Sequence, residues 1–254
     1  MSDVCCCLIP TAAAVKLGIM QPYFFPYLGH FALIAAVDEW VVFDVTQYTR
    51  KSWINRNRIL RAAGGWQYVS APLVNSSIHI SIAEAAFASP SDLEKYVLGK
   101  LSHYARHAPH YRAVCDIVRT ALARSTGSSL VSLNVSGLRT VCDYLGLAFR
   151  HRICSQLALE FPQGLTAGQW APWIAARFRA DVYVNPIGGR ELFNPVDFAA
   201  RGIQLQFLDF KPFVYDTPGY AFEGSLSILD VLMWNTAAVV RQAIHDNSTL
   251  ISKA

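Results

Sequence analysis

Short apolar runs alternate with stretches of helical apolar spacing along most of the chain. The first such unit has an apolar run at residues 18–22, a helical period at 29–38 and a second apolar run at 40–44. Short apolar runs bounded by turn residues indicate strands, whereas apolar positions three and four apart indicate an amphipathic helix. The pattern therefore predicts a strand, a loop, a helix and a second strand, the smallest unit of an α/β sheet.

Residues 46–59 interrupt this alternation because they are dense in hydrogen-bonding and aromatic side chains. We predict a polar connecting segment there. After the glycine pair at 64–65, residues 66–73 are predicted to be a buried strand. Residues 78–82 alternate apolar and polar positions with a period of two, which predicts a half-exposed strand.

A helix start signal at Ser89-Pro90 opens a mainly helical region that ends at Gly146. Beyond it, strands and helices alternate again. The three predicted helices of the helical region are at about 91–106, 109–123 and 129–145. The later predicted strands are at 147–153, from 181 to a Pro/Gly turn, and at 203–209, and the later helices are at 170–178, 194–202 and from 226 onward.

Strands that alternate with helices predict an α/β fold with a mostly parallel, Rossmann-like sheet. The helical region, residues 91–146, would be an insertion into it. We expect residues 17–254 to form a single α/β domain, and residues 1–16 to be a disordered N-terminal extension. In such folds ligands bind beyond the carboxyl ends of the strands, so the functional site should lie there.

Composition and charge exclude several classes of function. Of the 254 residues, 53% are hydrophobic and 16% are charged, and the net charge is +4. No apolar run approaches the ~20 residues of a membrane-spanning helix, and the N-terminus lacks the early positive charge of a signal peptide. The densest basic group, residues 50–61, is interrupted by Trp53 and Ile54, which favours an anionic-ligand surface. We therefore expect neither membrane insertion nor a nucleic-acid partner.

Six cysteines are present, three of them in the N-terminal extension and the others at Cys115, Cys142 and Cys154. They show no Cys-x-x-Cys or Cys/His ligand spacing, so we expect no metal site. Scattered, unpaired thiols suit a reducing compartment, which favours a cytoplasmic location.

Gln21, His30 and Asp44 are the candidate catalytic residues because they follow the first two predicted strands. His30 lies at a predicted helix start, where it can contact an anion or act as a general base. The alternative is a histidine that is merely packed beneath Tyr27 and Phe31.

Asp44 comes directly after the apolar residues Val-Val-Phe. A carboxylate at the end of a buried strand costs free energy unless it has a partner. Asp44 can therefore orient an amine or a hydroxyl group of a substrate, or it can form a structural ion pair with Arg56.

The polar segment supplies the candidate substrate-binding residues. Its amides and guanidinium groups are forked donors that fit a carboxylate or a phosphate, and its aromatic residues offer a flat apolar surface for a ring. The alternative is a solvated loop, but Ile54 and Ile59 should anchor the segment and so favour a binding role. The candidates are Gln47, Trp53, Asn55, Arg56, Asn57 and Arg58.

Two weaker signals lie in the second half of the chain. The run from Asn185 to Gly189 ends a predicted strand, and it can either let backbone approach a ligand or form a simple turn. Ser225, Ser227 and Asp230 lie at a helix start, where they can cap the helix or meet a phosphate.

These motifs together resemble the WbqC-like family over residues 17–245. The resemblance rests on Met20-Gln-Pro-Tyr-Phe-Phe-Pro-Tyr-Leu-Gly29, Val-Val-Phe-Asp44 with Gln47, Trp53-Ile-Asn-Arg-Asn-Arg-Ile59, Asn185-Pro-Ile-Gly-Gly189 and Leu226-Ser-Ile-Leu-Asp230. The resemblance implies a role in surface-polysaccharide or other specialised biosynthesis. It also implies transfer of an acyl or aminoacyl group to an amine, often that of an amino sugar.

Two positions depart from the family pattern. Relatives usually have Asp-Asp-Val-Gln where this chain has Asp44-Val45-Thr46-Gln47, so one carboxylate is missing. Position 30 is often aromatic in relatives, so a basic role for His30 would not be general to the family.

The expected reaction uses an acyl thioester of coenzyme A or of an acyl carrier protein as co-substrate, with no tightly bound cofactor. Asp44 or His30 would accept the proton of the amine, Gln21, Gln47 and Asn57 would stabilise the oxyanion, and the arginines would hold an anionic part of a substrate.

A second resemblance is to the HIGH-type nucleotidyltransferase superfamily, because Pro26-Tyr-Leu-Gly-His30 places Gly-His at a helix start. It implies an ATP-dependent ligase or nucleotidyltransferase as the alternative function. A non-catalytic partner protein of a biosynthetic complex is the third possibility, favoured by the missing carboxylate at Val45.

Overall fold

The computed structural model describes residues 14–74, 77 and 79–252. Strands β1 to β8 are, in chain order, Lys16–Met20, Glu39–Val42, Arg56–Leu60, Trp66–Ser70, His151–Ile153, Val182–Pro186, Gln204–Phe210 and Ser248–Ser252. Helices α1 to α8 are Leu28–Ala35, Pro90–Leu101, Tyr111–Arg124, Leu130–Leu145, Trp170–Arg177, Pro195–Ala199, Ile228–Trp234 and Ala237–Asp246. Short 3-10 turns lie at Ile82–Glu84, Ser102–Arg106, Cys154–Gln156 and Ile187–Leu192.

Six strands form the central sheet in the order β5-β2-β1-β6-β7-β8. All neighbours are parallel except β7 and β8, which are antiparallel. The chain first builds outward from β1 to β2 and β5, and then returns to place β6 on the other side of β1. The strand order therefore reverses between β1 and β6, which is where ligands bind in sheets of this type. This arrangement confirms the predicted α/β fold with a mostly parallel, Rossmann-like sheet.

Residues that alternate along the strands face two separate apolar cores. Leu17, Val41 and Tyr183 pack on one face of the sheet with α5 and α6. Val42 and Val184 pack on the other face, with α1, α8 and the inserted helices α2 to α4. Successive strand residues point to opposite faces of the sheet. The side chain directly after a strand therefore also points to one particular face.

The β3–β4 hairpin and helices α2 to α4 lie between β2 and β5 in the chain, so the predicted helical insertion is present. The polar segment differs from the prediction, because it contains β3, which pairs in antiparallel register with β4. Gly64 and Gly65 connect these two strands with positive φ angles of 92° and 66°. Strand β4 is half exposed and not buried throughout, since Val69 is buried whereas Trp66 is exposed.

The strand predicted at residues 78–82 is wrong over its described part. Ser81 instead caps the 3-10 turn Ile82–Glu84, because its backbone N–H and its hydroxyl group both donate to the Glu84 carboxylate at 2.7 Å. Strand pairing is thus limited to a single antiparallel bridge between Ser81 and Gln47. Ile78 lies outside the described residues.

The predicted last helix is in fact two helices. Helix α7 ends at Trp234, and Thr236 then caps α8 by accepting a hydrogen bond from the Val239 N–H. The edge strand β8 follows and was not predicted. At the other terminus β1 begins at Lys16, within the predicted extension, whose first 13 residues lie outside the described part.

In the part of the chain that the structure describes, no helix is both long and apolar enough to cross a membrane. Cys115, Cys142 and Cys154 are buried and free, and burial raises the pKa of the Cys142 and Cys154 thiols to about 12. Burial also raises the pKa of the Cys115 thiol, so the protonated form is favoured in all three. The other cysteines lie outside the described residues.

Candidate functional site

Two clefts open at the carboxyl edge of the central sheet, one on each face. The first, which we call the amide cavity, has a volume of about 440 Å³ and lies where β1, β2 and β6 end. The second, the α4 groove, has a volume of about 1050 Å³ and lies between the ends of β2 and β5 and helix α4. The amide cavity coincides with the reversal of strand order, the position that this fold favours for ligands.

The amide cavity is lined by polar but uncharged and by aromatic side chains. Among the described residues that line it, none carries a charge. Such a lining favours a neutral, hydroxyl-rich or ring-shaped ligand, held by hydrogen bonds and flat apolar contacts. Its hydrogen-bonding and aromatic members are Gln21, Tyr23, Phe43, Thr46, Gln47, Trp170, Tyr183, Asn185 and Phe193.

Gln21 directly follows β1, and Asn185 lies near the end of the neighbouring strand β6. The Gln21 Nε2 atom donates to the Thr46 hydroxyl oxygen at 3.2 Å, which ties the ends of β1 and β2 together. The Asn185 side chain is fixed on both sides, since its Oδ1 atom accepts from the Tyr183 hydroxyl and its Nδ2 atom donates to the Pro186 carbonyl, both at 2.9 Å. Both amides are therefore held in one orientation at the cavity wall.

Gly189 provides the space that the Asn185 amide occupies. A Cβ atom at position 189 would lie 2.2 Å from the Asn185 Nδ2 atom, well inside any permitted contact. By contrast, a Cβ atom at Gly188 would meet no atom within 4 Å. Gly189 therefore serves a close side-chain approach, and not only a turn.

Gln47 lies at the exposed rim of the amide cavity. The segment that carries it is held by backbone hydrogen bonds from Ala83 to the Asp44 carbonyl and from Ile82 to the Thr46 carbonyl, both at 2.9 Å. Gln47 itself forms an antiparallel bridge with Ser81. The 3-10 turn thus fixes the position of the Thr46 and Gln47 side chains.

Asp44 lies on the opposite face of the sheet from Gln21, in the α4 groove. Its buried carboxylate accepts hydrogen bonds from the Ser155 backbone N–H at 2.9 Å and from the Ser155 hydroxyl at 2.6 Å. Its partner is therefore a serine and not Arg56, so the structural ion pair considered for Asp44 is absent. Arg56 donates instead to the Lys51 carbonyl at 2.6 Å and stacks on the Tyr68 ring.

His30 is packed within the core on the same face as Asp44. Its side chain is only 2% exposed, and its ring lies against the rings of Tyr23, Phe31 and Trp40 with centroid distances of 5.1 to 6.4 Å. Burial lowers the pKa of His30 to about 3, so the ring is neutral at physiological pH. The structure thus places His30 in the packed position that was the alternative to a basic role.

The amides of the polar segment mainly bind backbone. Asn57 is buried and donates to the Phe24 and Phe25 carbonyls at 3.1 and 2.9 Å, which fixes the loop before α1. Asn55 donates to the Ala71 carbonyl at 3.2 Å. Their observed contacts hold the hairpin and the loop in place.

Trp53, Asn57 and Arg58 border a third cleft, which we call the aromatic cleft. It has a volume of about 320 Å³ and is lined by Tyr23, Pro26, Tyr27, Trp53, Asn57, Arg58 and Ser225. Tyr23 belongs to the lining of both this cleft and the amide cavity. The substrate-binding candidates are thus divided between two clefts that share one wall, with Gln47 in the first and Trp53 and Arg58 in the second.

Asp230, for which the sequence suggested a helix cap or a phosphate contact, is a buried carboxylate. It accepts hydrogen bonds from the hydroxyl groups of Tyr104 and Tyr215, the latter at 2.7 Å, and from the Leu60 N–H at 3.4 Å. Burial raises the pKa of Asp230, and it also raises the pKa of both tyrosines. Ser227, in contrast, caps α7 and donates to the Phe25 carbonyl at 2.7 Å.

Tyr23, Thr46 and Trp170 line the amide cavity but were not among the candidate site residues. Asn185 was named only as the start of a run whose backbone can approach a ligand. A signal for Asn185 was present in the sequence, because it follows the apolar run Val-Tyr-Val in the same way that Asp44 follows Val-Val-Phe. The aromatic members gave no such signal, since aromatic residues are just as frequent in the core.

Fold and cavity together define an α/β protein with a Rossmann-like sheet and an uncharged cavity at its switch point. The chain belongs to the WbqC-like protein family, whose model matches residues 21–242. It is 28% identical over 219 residues to "Uncharacterized protein Rv1507c" of Mycobacterium tuberculosis (strain ATCC 25618 / H37Rv), an alignment that covers 85% of this chain and 92% of that protein. No solved structure matches the chain significantly. The family resemblance seen in the sequence is thus confirmed.

Proposed function

We propose that this protein is an N-acyl or aminoacyl transferase of polysaccharide or specialised-metabolite biosynthesis. It would move an acyl group from a thioester of coenzyme A or of an acyl carrier protein to an amine acceptor bound in the amide cavity. The observation that carries the proposal is the convergence of Gln21, Gln47 and Asn185 in an uncharged cavity at the switch point of the sheet. Amides and aromatic rings together suit a sugar-like acceptor.

The uncharged lining favours the reactive form of the acceptor. An ammonium group that entered this cavity would lose its hydration without gaining a carboxylate partner. Desolvation lowers the pKa of such a group and so increases the fraction of neutral amine. Only the neutral amine has the lone pair that attacks a thioester.

The transfer balances without ATP or a further reactant. The amine nitrogen attacks the thioester carbonyl carbon, a C–N bond forms, and the C–S bond then breaks. The proton that the amine gives up ends on the departing sulfur, so that the products are an amide and a free thiol. The reactants, a neutral amine and a thioester, and the products, an amide and a thiol, are all uncharged.

The oxyanion formed during attack needs hydrogen-bond donors. Gln21 uses its Nε2 atom to bind the Thr46 hydroxyl, and an amide nitrogen has two N–H groups, so one remains for a ligand. Gln47 stands at the rim of the same cavity. We assign the two glutamines to the oxyanion and Asn185 to the acceptor hydroxyl groups.

Asp44 takes a positioning role in this proposal. Its carboxylate binds Ser155 on the other face, and its backbone carbonyl accepts from Ala83 directly before Thr46 and Gln47. His30 takes no part in proton transfer, because its lowered pKa of about 3 makes it a weak base and aromatic rings enclose it. Val45 packs beside the second apolar core, where a carboxylate would need a partner of its own.

The geometry at the start of α1 favours acyl transfer over the ATP-dependent alternative. A Cβ atom at Gly29 would lie 2.5 to 2.7 Å from the Tyr27 ring, so this ring covers the helix start. Phosphate groups could reach Gly29 and His30 only after Tyr27 moved away. We place the reaction in the cytoplasm, which the free thiols of Cys115, Cys142 and Cys154 support.

The test is a thiol-release assay with purified protein, acetyl coenzyme A or an acyl carrier protein as donor, and a panel of amino sugars and simple amines. The proposal expects release of free thiol that depends on the amine and needs no ATP, together with the corresponding amide by mass spectrometry. Pyrophosphate release that depends on ATP would instead favour a nucleotidyltransferase. Binding of an amine without turnover by any donor would favour a non-catalytic binding protein.

A further inference from the structure

The face of the β3–β4 hairpin beside the aromatic cleft carries two arginines among aromatic rings. Arg56 and Arg58 are two residues apart on β3 and therefore point to the same face. The Arg56 guanidinium lies 3.9 Å from the Tyr68 ring centroid, and that of Arg58 lies 5.5 Å from Trp53 and 5.1 Å from Trp66. This surface is hence both cationic and flat.

No carboxylate of the described residues pairs with these arginines. Within the described residues, neither guanidinium has a carboxylate oxygen within 4 Å, and the Nε atoms of both are buried without a hydrogen-bond partner. The Arg58 Nη2 atom reaches only the Ser225 carbonyl, at 3.3 Å. Two neighbouring cations that share a half-buried face favour an anion with more than one charge.

The aromatic residues add a second requirement to the ligand. The Trp53 side chain is 42% exposed and borders the cleft, as do the rings of Tyr23 and Tyr27. An exposed indole beside an unpaired guanidinium suits a ligand with a flat ring near its negative charge. Nucleotides combine these two features, because a base stacks on the ring while the phosphates meet the arginine.

We propose that the aromatic cleft binds the nucleotide portion of a substrate, with the base against Trp53 and the phosphate groups at Arg58, on the side of the cleft where Arg56 adds a second positive charge. This inference rests on the proposed function, since the cleft adjoins the amide cavity through Tyr23. The volume of about 320 Å³ suits one nucleotide and not a strand of several. The nucleotide belongs either to a nucleoside-diphosphate-linked acceptor or to coenzyme A, which both combine a base with phosphates.

Isothermal titration calorimetry with UDP and with coenzyme A tests this proposal and separates the two sources. Tighter binding of UDP identifies the acceptor as the nucleotide carrier, and tighter binding of coenzyme A identifies the donor. In either case Arg58→Gln should weaken binding by about 10- to 100-fold, the value of a charge-assisted hydrogen bond. Trp53→Ala should weaken it by at least about fivefold through the loss of stacking.

The control is Arg177→Gln, which removes another arginine stacked on a tryptophan, 3.3 Å from the Trp173 ring centroid and outside the aromatic cleft. It should leave binding unchanged. Circular dichroism and thermal unfolding of each variant establish that the fold is kept. Arg58→Lys should retain part of the affinity, because it keeps the charge but loses the fork.

The proposal is overturned if neither UDP nor coenzyme A binds at millimolar concentration, or if Arg58→Gln binds as tightly as the unaltered protein. It is also overturned if inorganic pyrophosphate binds as tightly as both nucleotides, or if a ten-nucleotide oligothymidylate binds more tightly. Its failure is distinguishable from that of acyl transfer. Thiol release with a simple amino sugar but no nucleotide binding would support the proposed acyl transfer and contradict the nucleotide site. Nucleotide binding without thiol release would support the nucleotide site and contradict acyl transfer.

Discussion

Gln21 and Asp44 follow two paired parallel strands, yet their side chains lie on opposite faces of the sheet. Gln21 lines the amide cavity, whereas the Asp44 carboxylate binds Ser155 in the α4 groove. The period of two along each strand imposes this separation, because Leu17, Ile19 and Gln21 share one face while Val42 and Asp44 share the other. Two residues at the same edge of a sheet thus need not belong to one site.

This separation makes Asp44→Asn informative. The amide of the variant would lose the charge-assisted hydrogen bonds from Ser155. The free energy of unfolding, measured by chemical denaturation, should therefore decrease by about 1.5–3 kcal/mol. Asp44→Asn should also lower kcat/KM, because it loosens the segment that carries Thr46 and Gln47. Ser155→Ala loosens the same segment and should lower kcat/KM to a similar extent. A loss of turnover in Asp44→Asn that Ser155→Ala does not share would show that Asp44 acts on the substrate directly.

Gly189→Ala should displace the Asn185 amide, because its Cβ atom would lie 2.2 Å from the Asn185 Nδ2 atom. Overpacking of this kind costs about 1–3 kcal/mol of the free energy of unfolding. We expect a similar loss in acceptor binding, measured as an increase in KM for the amine. The matched control is Gly188→Ala, where the space is open. Equal KM values for the two variants would contradict the role given to Asn185.

His30→Phe should leave activity intact and change the dependence of stability on pH. The pKa of His30 falls from about 6.5 in the unfolded chain to about 3 in the folded protein. The unfolded chain therefore binds the proton first, and the folded state loses stability as pH decreases from 6.5 towards 3. The upper limit of this loss is about 5 kcal/mol.

Denaturant titrations between pH 7 and pH 4 measure this effect. The His30→Phe variant should show a shallower decline in stability than the unaltered protein. His245→Gln, which replaces an exposed histidine, should leave the decline as it is. If His30→Phe lost most of its turnover at pH 7 while keeping its fold, His30 would have a catalytic role.

The alternation of strands and helices was predictable because apolar period and turn residues report on burial directly. The carboxyl edge was likewise predictable as the location of the two candidate clefts. The face on which each candidate lies was also available from the period of two, as Gln21 and Asp44 show. Strand β3 was not predictable, because its residues Arg-Asn-Arg-Ile-Leu are polar where they face the aromatic cleft. Tertiary pairing with β4 decides that segment.

Convergence of distant residues was the second feature that the sequence could not supply. Tyr23 and Trp170 line one cavity although 147 positions separate them, which depends on the packing of α5 against the sheet. The break between α7 and α8 at Asn235 was missed for a different reason. Its flanking residues keep the helical apolar spacing, and only the cap at Thr236 marks the new helix.

The most direct test of the amide cavity as the reaction site is amine-dependent thiol release by Gln21→Ala, compared with the unaltered protein and with Gln242→Ala. The control replaces Gln242, an exposed glutamine of α8 that donates to the Asp246 carboxylate. Gln242 lies far along the chain from Gln21. We predict that Gln21→Ala lowers kcat by about 10²- to 10³-fold, the usual value of one oxyanion donor, while Gln242→Ala retains full activity. Full activity in a correctly folded Gln21→Ala variant would contradict the assignment of this cavity.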